Sequence, residues 1–157
     1  MDVGTFTALA ALCAPLVHPT TARAIVVTES AYNPNAIGVV AGHLERQPRH
    51  LNEALATAAA LQRRGHNFSV GLAQINVHNL DRIGLSLADG FDACKNLGAM
   101  QTVLAECFDR AGSKIDAQAA VRRALSCYYS GNFTTGFRRG YVSRVVGNAQ
   151  KPARAPP

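Results

Sequence analysis

The stretch TTARAIVVTESAYNP, residues 20–34, predicts a helix with a carboxylate at its carboxyl end. Thr20 or Thr21 can cap its start, because a hydroxyl oxygen accepts hydrogen bonds from the first free backbone N–H groups. Apolar residues recur inside it at helical spacing, and the Asn33-Pro34 pair ends it, since proline disfavours helical backbone at the residue before it. Glu29 therefore lies at the end of a helix whose inward face is apolar.

Helical patterns extend over most of the remaining chain. They cover residues 5–17, 52–64, 71–76, 91–111, 116–129 and 136–146. Residues 37–47 alternate loosely around two glycines, which favours a short β-hairpin or an irregular loop. We therefore expect a mainly α fold with one domain over residues 1–147. Residues 148–157 are rich in Lys, Arg, Ala and Pro, which predicts a disordered tail.

Length and composition favour one folded domain with a polyanionic partner. Of the 157 residues, 48% are apolar and 17% are charged, so the chain can bury a substantial core without a metal. Sixteen Lys and Arg against ten Asp and Glu give a net charge of +6, which favours nucleic acid, anionic lipid or an acidic cell-wall polymer as partner. The basic residues are scattered, which also fits a solvated surface and disfavours nucleic-acid binding.

The four cysteines allow either two disulfides or four buried thiols. None falls in a Cys-x-x-Cys pair, and the five histidines lack metal-ligand spacing, so we expect no metal site. If residues from about 92 to 111 form one helix, Cys94 and Cys107 lie roughly 20 Å apart along it. Cysteines at that separation cannot bond to each other, so each needs a partner outside this helix.

The sequence predicts neither a membrane span nor an export signal. No apolar run approaches the roughly 20 residues that a transmembrane helix needs. The first 17 residues contain Asp2 where a secretory signal carries Lys or Arg. We therefore interpret this segment as the first helix of the domain.

Glu29 is the candidate catalytic acid. It follows the apolar turn Ile25-Val26-Val27, and apolar surroundings disfavour the charged form of a carboxyl. A carboxyl whose pKa is raised can donate a proton to a glycosidic oxygen near neutral pH. A solvent-facing glutamate at a helix end is the alternative interpretation, so the case for catalysis depends on the segments that accompany Glu29.

Two further segments carry side chains suited to binding sugars. Gly71-Leu72-Ala73-Gln74-Ile75-Asn76 combines a glycine, which lets backbone approach a ligand, with amides that can bond hydroxyl and acetamide groups. Cys127-Tyr128-Tyr129-Ser130-Gly131-Asn132 offers aromatic rings that stack on sugars and a hydroxyl that can orient a carboxylate. Each has a structural alternative: a helix start with exposed amides, and an aromatic helix end with a glycine cap.

In this order, the three segments resemble the transglycosylase branch of the lysozyme-like superfamily, with its Glu-Ser helix end, Gly-Leu-x-Gln-Ile-Asn segment and later Ala-Tyr-Asn segment. The resemblance is greatest to the specialised lytic transglycosylases of type IV secretion and conjugation systems, and it covers about residues 8–146. The motifs that add to it are Asn33-Pro34-x-Ala36-Ile37-Gly38, Gly65-His66-Asn67-Phe68-x-Val70-Gly71-Leu72, Phe91-Asp92-x-Cys94-x-Asn96-Leu97 and Gly140-Tyr141-Val142-x-Arg144-Val145. A mainly α, lysozyme-like fold is implied.

The resemblance implies that Glu29 is catalytic and that several matching residues bind substrate. These residues are Ser30, Gly71, Gln74, Asn76, Tyr128, Tyr129 and Asn132. Ser30 can bond the Glu29 carboxylate or cap the next turn. Two positions depart from the pattern: Ala73 stands where many relatives have Met, and Tyr129 stands where the superfamily usually has Asn. Asn76 or Asn132 can then assist the substrate acetamide in place of the missing Asn.

A disulfide pairing is also implied by the resemblance. Relatives often carry one cysteine near the amino terminus and one in the Phe-Asp-x-Cys segment, which implies a Cys13–Cys94 disulfide. Cys107–Cys127 is then the remaining pair. Such bridges require an oxidising compartment, so the implied location is the periplasm.

The implied reaction is cleavage of the β-1,4 bond between N-acetylmuramic acid and N-acetylglucosamine in peptidoglycan, with a 1,6-anhydro product and no cofactor. The implied role is local opening of the cell wall for a secretion apparatus, so the expected partners are glycan strands and components of that apparatus. A muramidase or chitinase that uses water is the nearest alternative. A noncatalytic peptidoglycan-binding module is the alternative from another class, and a basic nucleic-acid binder is the weakest.

Overall fold

A computed structural model describes residues 1–153, which form nine helices and a small antiparallel sheet. The helices are α1 Val3–Cys13, α2 Pro19–Ser30, α3 Leu51–Arg63, α4 Val77–Arg82, α5 Leu87–Phe91, α6 Ala93–Ala111, α7 Ala117–Ser130, α8 Thr135–Arg138 and α9 Tyr141–Gln150. The strands are β1 Ile37–Val39, β2 Phe68–Val70 and β3 Ile75–Asn76, in the order β1-β2-β3. The expected mainly α fold is confirmed.

Helix α6 forms the centre of the core. Its apolar residues recur three and four positions apart, which places them on one broad face. The buried apolar residues of this helix are Leu97, Ala99, Met100, Val103, Leu104, Cys107 and Ala111. Helices α1, α5 and α7 and strand β3 pack against α6, while α2 packs mainly against α9. An early helix and the last described helix are thereby packed together.

The first helix is shorter than expected. It ends at Cys13 instead of position 17, and Ala14 leaves helical geometry with φ −137° and ψ 53°. Pro15 is the physical reason, because its ring disfavours helical backbone at the preceding residue. The start of α2 was also placed too late, since His18 is the N-cap and its imidazole accepts from Thr20 N–H.

The β structure expected near residues 37–47 is present as β1, but its partner lies elsewhere in the chain. Ile37 pairs with Val70 of β2, and no second strand occurs within residues 37–47. The Gln47 side chain instead accepts from the Ile37 N–H at 2.8 Å and donates to the Ile37 carbonyl at 2.9 Å. One amide side chain thus bonds both the N–H and the carbonyl of Ile37. These groups therefore need no second strand as a partner.

The prediction of a helix over residues 71–76 is wrong, because these residues form a turn and strand β3. Gly71 has φ +79° and Gln74 has φ +51°, so the chain makes a tight turn and enters β3. Asn96 holds this turn: its Nδ2 donates to the carbonyls of Val70 and Gly90, and its Oδ1 accepts from Ala73 N–H. A Cβ at position 71 would overlap the Asn96 side chain, so only glycine fits.

The carboxyl-terminal third contains more breaks than the sequence indicated. The helix expected over residues 136–146 is two helices, separated where Gly140 adopts φ +76°. The one expected from residue 91 begins at Ala93, because the Asp92 side chain caps it by accepting from Lys95 N–H. The short helices α4 and α5 were not anticipated, since five or six residues show too little periodicity.

Part of the segment expected to be disordered is helical. Helix α9 continues to Gln150, so residues 148–150 belong to it. The Arg23 guanidinium, from α2, donates to the carbonyls of Asn148 and Lys151 at 3.2 and 2.7 Å. These bonds satisfy carbonyls that a helix end leaves free. Residues 154–157 of the expected tail lie outside the described part of the chain.

Two disulfides link the central helix to its neighbours. Cys13–Cys94 joins α1 to α6, and Cys107–Cys127 joins α6 to α7. The pairing implied by the resemblance is therefore present. Among residues 1–153, no helix combines the length and the hydrophobicity that crossing a bilayer demands.

Replacement of Asn96 by alanine should destabilise the fold strongly. It would remove three hydrogen bonds, to two carbonyls and from one N–H, in a fully buried place. Each buried polar group without a partner costs on the order of 1–3 kcal/mol, so we expect a loss of about 3 kcal/mol in the free energy of unfolding. Urea unfolding with the disulfides intact measures this loss. Asn52→Ala, on the exposed side of α3, is the control and should change stability by less than about 0.5 kcal/mol.

Candidate active site

A cleft of about 860 Å³ lies between the sheet and helices α6 and α7, with Glu29 in its lining. The sheet contributes residues such as Ser69 and Ile75, and α6 contributes one face from Val103 to Arg110. The cleft contains both polar and apolar side chains. Of the expected substrate-binding residues, those that line it are Gln74, Asn76, Tyr128 and Tyr129.

Glu29 is held in place by the way α2 ends. After Ser30, both Ala31 and Tyr32 adopt left-handed backbone, with φ 50° and 65°, so the chain turns away sharply. The Ser30 hydroxyl donates to the Leu72 carbonyl at 2.7 Å. Ser30 was expected to bond the Glu29 carboxylate or to cap the next turn. It joins the helix end to the Gly71 turn instead.

Burial and one hydrogen bond determine the charge of Glu29. Burial raises the pKa of the Glu29 carboxyl from 4.5 to about 7. The Tyr141 hydroxyl donates to Oε1 of Glu29 at 2.6 Å, and this bond lowers the pKa, as does the positive charge of Arg144. The carboxyl is thus poised to hold or release a proton near neutral pH, as a general acid and base must.

Tyr141 contacts the candidate catalytic residue Glu29, although the sequence suggested no role for it. It is buried at the start of α9, and its ring stacks on the Tyr129 ring with centroids 4.5 Å apart. Gly140 precedes it in left-handed backbone, which aims the helix start toward Glu29. The Gly140-Tyr141-Val142 motif was visible in the sequence, but Tyr141 and Glu29 are 112 positions apart, so their contact could not be inferred from it.

Tyr128 supports the cleft wall through its hydroxyl. That group donates to the Ala73 carbonyl at 2.7 Å, so it does not bond the Glu29 carboxylate. Burial raises the pKa of the Tyr128 phenol well above its usual value, and the nearby negative charge of Glu29 raises it further. The phenol therefore stays protonated and remains a donor to the turn.

Gln74 and Asn76 line the cleft but use much of their amide groups on the protein itself. Nε2 of Gln74 donates to the carbonyls of Ala36 and Gly71, both at 3.0 Å. A Cβ at Gly38 would lie 2.6 Å from Oε1 of Gln74, so a larger residue there would displace the Gln74 side chain. The Asn76 side chain caps α4 by accepting from His78 N–H. Their direct contact with substrate stays a prediction.

Ser30, Gly71 and Asn132 do not belong to the cleft lining. Gly71 is buried against Asn96. The glycine therefore lets the backbone approach that side chain rather than a ligand. Oδ1 of Asn132 accepts from the N–H groups of Thr134 and Thr135, which stabilises the turn before α8. Their assignment to substrate binding also stays a prediction.

The comparison with known families identifies the chain. A model of the transglycosylase SLT domain matches residues 6–149. The chain belongs to the transglycosylase SLT domain family. The family expected from the three ordered motifs is thus confirmed, and the match runs from within α1 to within α9.

Several relatives of this SLT domain carry a type IV secretion name or a related one. It is 49% identical over 151 residues to the type IV secretion system protein virB1 of Brucella suis biovar 1, covering 92% of this chain and 63% of that protein. It is 35% identical over 143 residues to the protein virB1 of Agrobacterium fabrum, covering 88% and 57%. The chain thus spans less than two thirds of these relatives' length. No solved structure matches it.

Removal of the Tyr141 hydroxyl should raise the pKa of Glu29 above about 7. The hydroxyl stabilises the charged carboxylate, so in Tyr141→Phe burial acts with less opposition. Carbon-13 NMR titration of the Glu29 carboxyl, assigned through Glu29→Gln, measures this. Tyr128→Phe is the control, because its hydroxyl bonds Ala73. A Glu29 pKa in Tyr141→Phe equal to or below that of the wild type would contradict the prediction.

Glu29 should also make the fold less stable as the pH rises. Its folded pKa of about 7 exceeds the ordinary 4.5, so between these pH values the folded state binds the proton more tightly than the unfolded chain. The free energy of unfolding therefore falls by on the order of 3 kcal/mol from pH 4.5 to above pH 7 through this one group. Glu29→Gln should remove that decrease.

Urea unfolding at pH 4.5 and pH 8 measures the effect as a difference between variant and wild type. The stability gained by Glu29→Gln should be larger at pH 8 than at pH 4.5. Other titrating groups cancel in this difference. Glu45→Gln, at an exposed position, should show no such pH-dependent gain.

Proposed function

We propose that this domain is a peptidoglycan lytic transglycosylase that cleaves the β-1,4 bond between N-acetylmuramic acid and N-acetylglucosamine. The observation that carries the proposal is the Glu29 carboxyl, whose pKa is about 7 in a cleft of about 860 Å³. Membership of the transglycosylase SLT domain family supports it, as does the likeness to proteins named for type IV secretion.

In the first step, Glu29 gives its proton to the oxygen that leaves the muramic acid C1. Near neutral pH a substantial share of Glu29 is protonated, so the acid form is available without a large free-energy cost. As the C1–O bond breaks, positive charge develops on the sugar ring. The acetamide of the muramoyl unit stabilises this charge from within the substrate.

In the second step, the Glu29 carboxylate acts as the base. It takes the proton from the muramoyl C6 hydroxyl, and the C6 oxygen bonds to C1 to form the 1,6-anhydro ring. Glu29 thereby recovers the proton it gave away, and no water is consumed. The Tyr141 hydroxyl, 2.6 Å from Oε1, steadies the carboxylate while it carries the charge.

The second acidic residue of the cleft is unsuited to share this chemistry. Among the described residues, Glu106 is the one other carboxylate in the lining, and Arg82 binds it at 2.7 Å. The hydrogen bond from Arg82 holds the pKa of Glu106 below its usual value, so it stays ionised. A carboxylate engaged in this way is a poor proton donor, which favours a mechanism with Glu29 alone.

We further propose that the domain acts in the periplasm and opens the wall locally for assembly of a secretion apparatus. Two disulfides support an oxidising compartment. The names of the relatives support the link to type IV secretion. The expected partners are glycan strands and components of the apparatus.

Digestion of purified sacculi tests the activity. The wild type should release soluble fragments that end in 1,6-anhydro-N-acetylmuramic acid, detected by mass spectrometry. Glu29→Gln should lower the release at least about 100-fold, because the variant lacks the acid and the base. Glu45→Gln, at an exposed position outside the cleft, should retain wild-type activity.

Other products would point to the alternatives. Fragments with reducing ends only would identify a muramidase that uses water. Binding to sacculi with no release by the wild type would identify a noncatalytic binding module. Release by Glu29→Gln at the wild-type rate would remove Glu29 from the mechanism.

A further inference from the structure

Arg110 presents a positive charge in the cleft with no carboxylate bound to it. It lies on α6 and lines the same cleft as Glu29. Within residues 1–153, no acidic side chain forms a salt bridge with Arg110. The charge of Arg110 helps to lower the pKa of Glu106, one turn earlier on α6, but both oxygens of Glu106 accept from Arg82. The Arg110 guanidinium therefore keeps its N–H donors for an anionic group of a ligand.

Neutral groups hold the Arg110 guanidinium in position. Nη1 lies 3.5 Å from Sγ of Cys127, and Nη2 donates to the Gly131 carbonyl at 3.4 Å. The guanidinium carbon lies 5.6 Å from the centre of the Phe133 ring. These contacts restrict the long side chain without neutralising its charge, which lowers the entropy cost of binding a ligand.

The contrast with Arg82 distinguishes Arg110 from the other cations of the cleft. Arg82 donates to both oxygens of Glu106, at 3.1 and 2.7 Å, so its charge is largely neutralised. Arg139 also lines the cleft, but within the described residues no hydrogen bond fixes its guanidinium. Among residues 1–153, Arg110 is thus the arginine of the cleft lining whose guanidinium is held by hydrogen bonds but has no salt-bridge partner.

A second guanidinium strengthens the positive potential around Arg110. The Arg123 guanidinium carbon lies 4.5 Å from the centre of the same Phe133 ring. Like Arg110, it has no salt-bridge partner in the described part of the chain. Two cations therefore face one ring, and Arg123, although outside the cleft lining, adds to the positive potential near Arg110.

We propose that Arg110 determines specificity by binding a carboxylate of the peptidoglycan strand. This rests on the proposed function. A planar guanidinium matches a carboxylate with paired N–H donors. The glycan backbone is neutral apart from the lactyl arm of muramic acid, so the carboxylate belongs either to a free lactyl group or to the peptide attached to it. Arg110 thus favours strands that carry these acids over uncharged polysaccharides such as chitin.

Binding measured without turnover tests the proposal. In a Glu29→Gln background, calorimetry compares three soluble tetrasaccharides of alternating N-acetylglucosamine and N-acetylmuramic acid: one with peptides attached, one with free lactyl groups, and one with every carboxylate converted to an amide. Adding Arg110→Gln should weaken binding of a carboxylate-bearing ligand about tenfold and leave the amidated ligand unchanged. Whichever acidic ligand is affected identifies the source of the carboxylate.

Arg122→Gln is the matched control, since it removes the same charge from an exposed position outside the cleft lining. It should not change any of the three affinities. Equal affinities with and without Arg110→Gln for all acidic ligands would overturn the proposal. So would an equal loss for the amidated ligand, which would indicate a structural role. Failure of the proposed catalytic function would be detected separately, because the wild type would then release no fragments from sacculi.

Discussion

The hydrogen bond from Tyr141 to Glu29 is the interaction on which the site depends. It joins α2 to α9 through two residues 112 positions apart in the chain, and it stabilises the charged form of a carboxyl whose pKa burial raises. Burial without the bond would leave a carboxyl that rarely ionises. The bond without burial would leave an ordinary surface carboxylate. Together they place the pKa near the pH at which one group can act as acid and then as base.

Several polar side chains near the cleft form hydrogen bonds with the protein backbone. Asn96, Ser30 and Tyr128 all bond backbone groups between Val70 and Ala73. That turn needs left-handed backbone at Gly71, and its carbonyls cannot find partners within a helix. Side chains from α2, α6 and α7 therefore converge on it. One short segment therefore anchors the end of α2 that carries Glu29, together with α6 and α7.

The charges of the cleft divide into three kinds. Glu29 is buried and exchanges its proton near pH 7, Glu106 is ionised and paired with Arg82, and Arg110 is charged with no salt-bridge partner among residues 1–153. Each condition follows from the immediate surroundings, because burial penalises charge whereas an opposite charge compensates it. A cleft organised in this way can transfer a proton at one place and attract an acidic group at another.

The sequence by itself determined the mainly α class, the family, and Glu29 at the carboxyl end of a helix. These depend on local periodicity and on short ordered motifs, which can be read along the chain. Only the tertiary structure decided the Tyr141 contact, the sheet pairing of Ile37 with Val70, and the turn where a helix was expected over residues 71–76. Each of these results from groups far apart in the chain. Long-range packing overrides local preference wherever a buried polar group needs a partner.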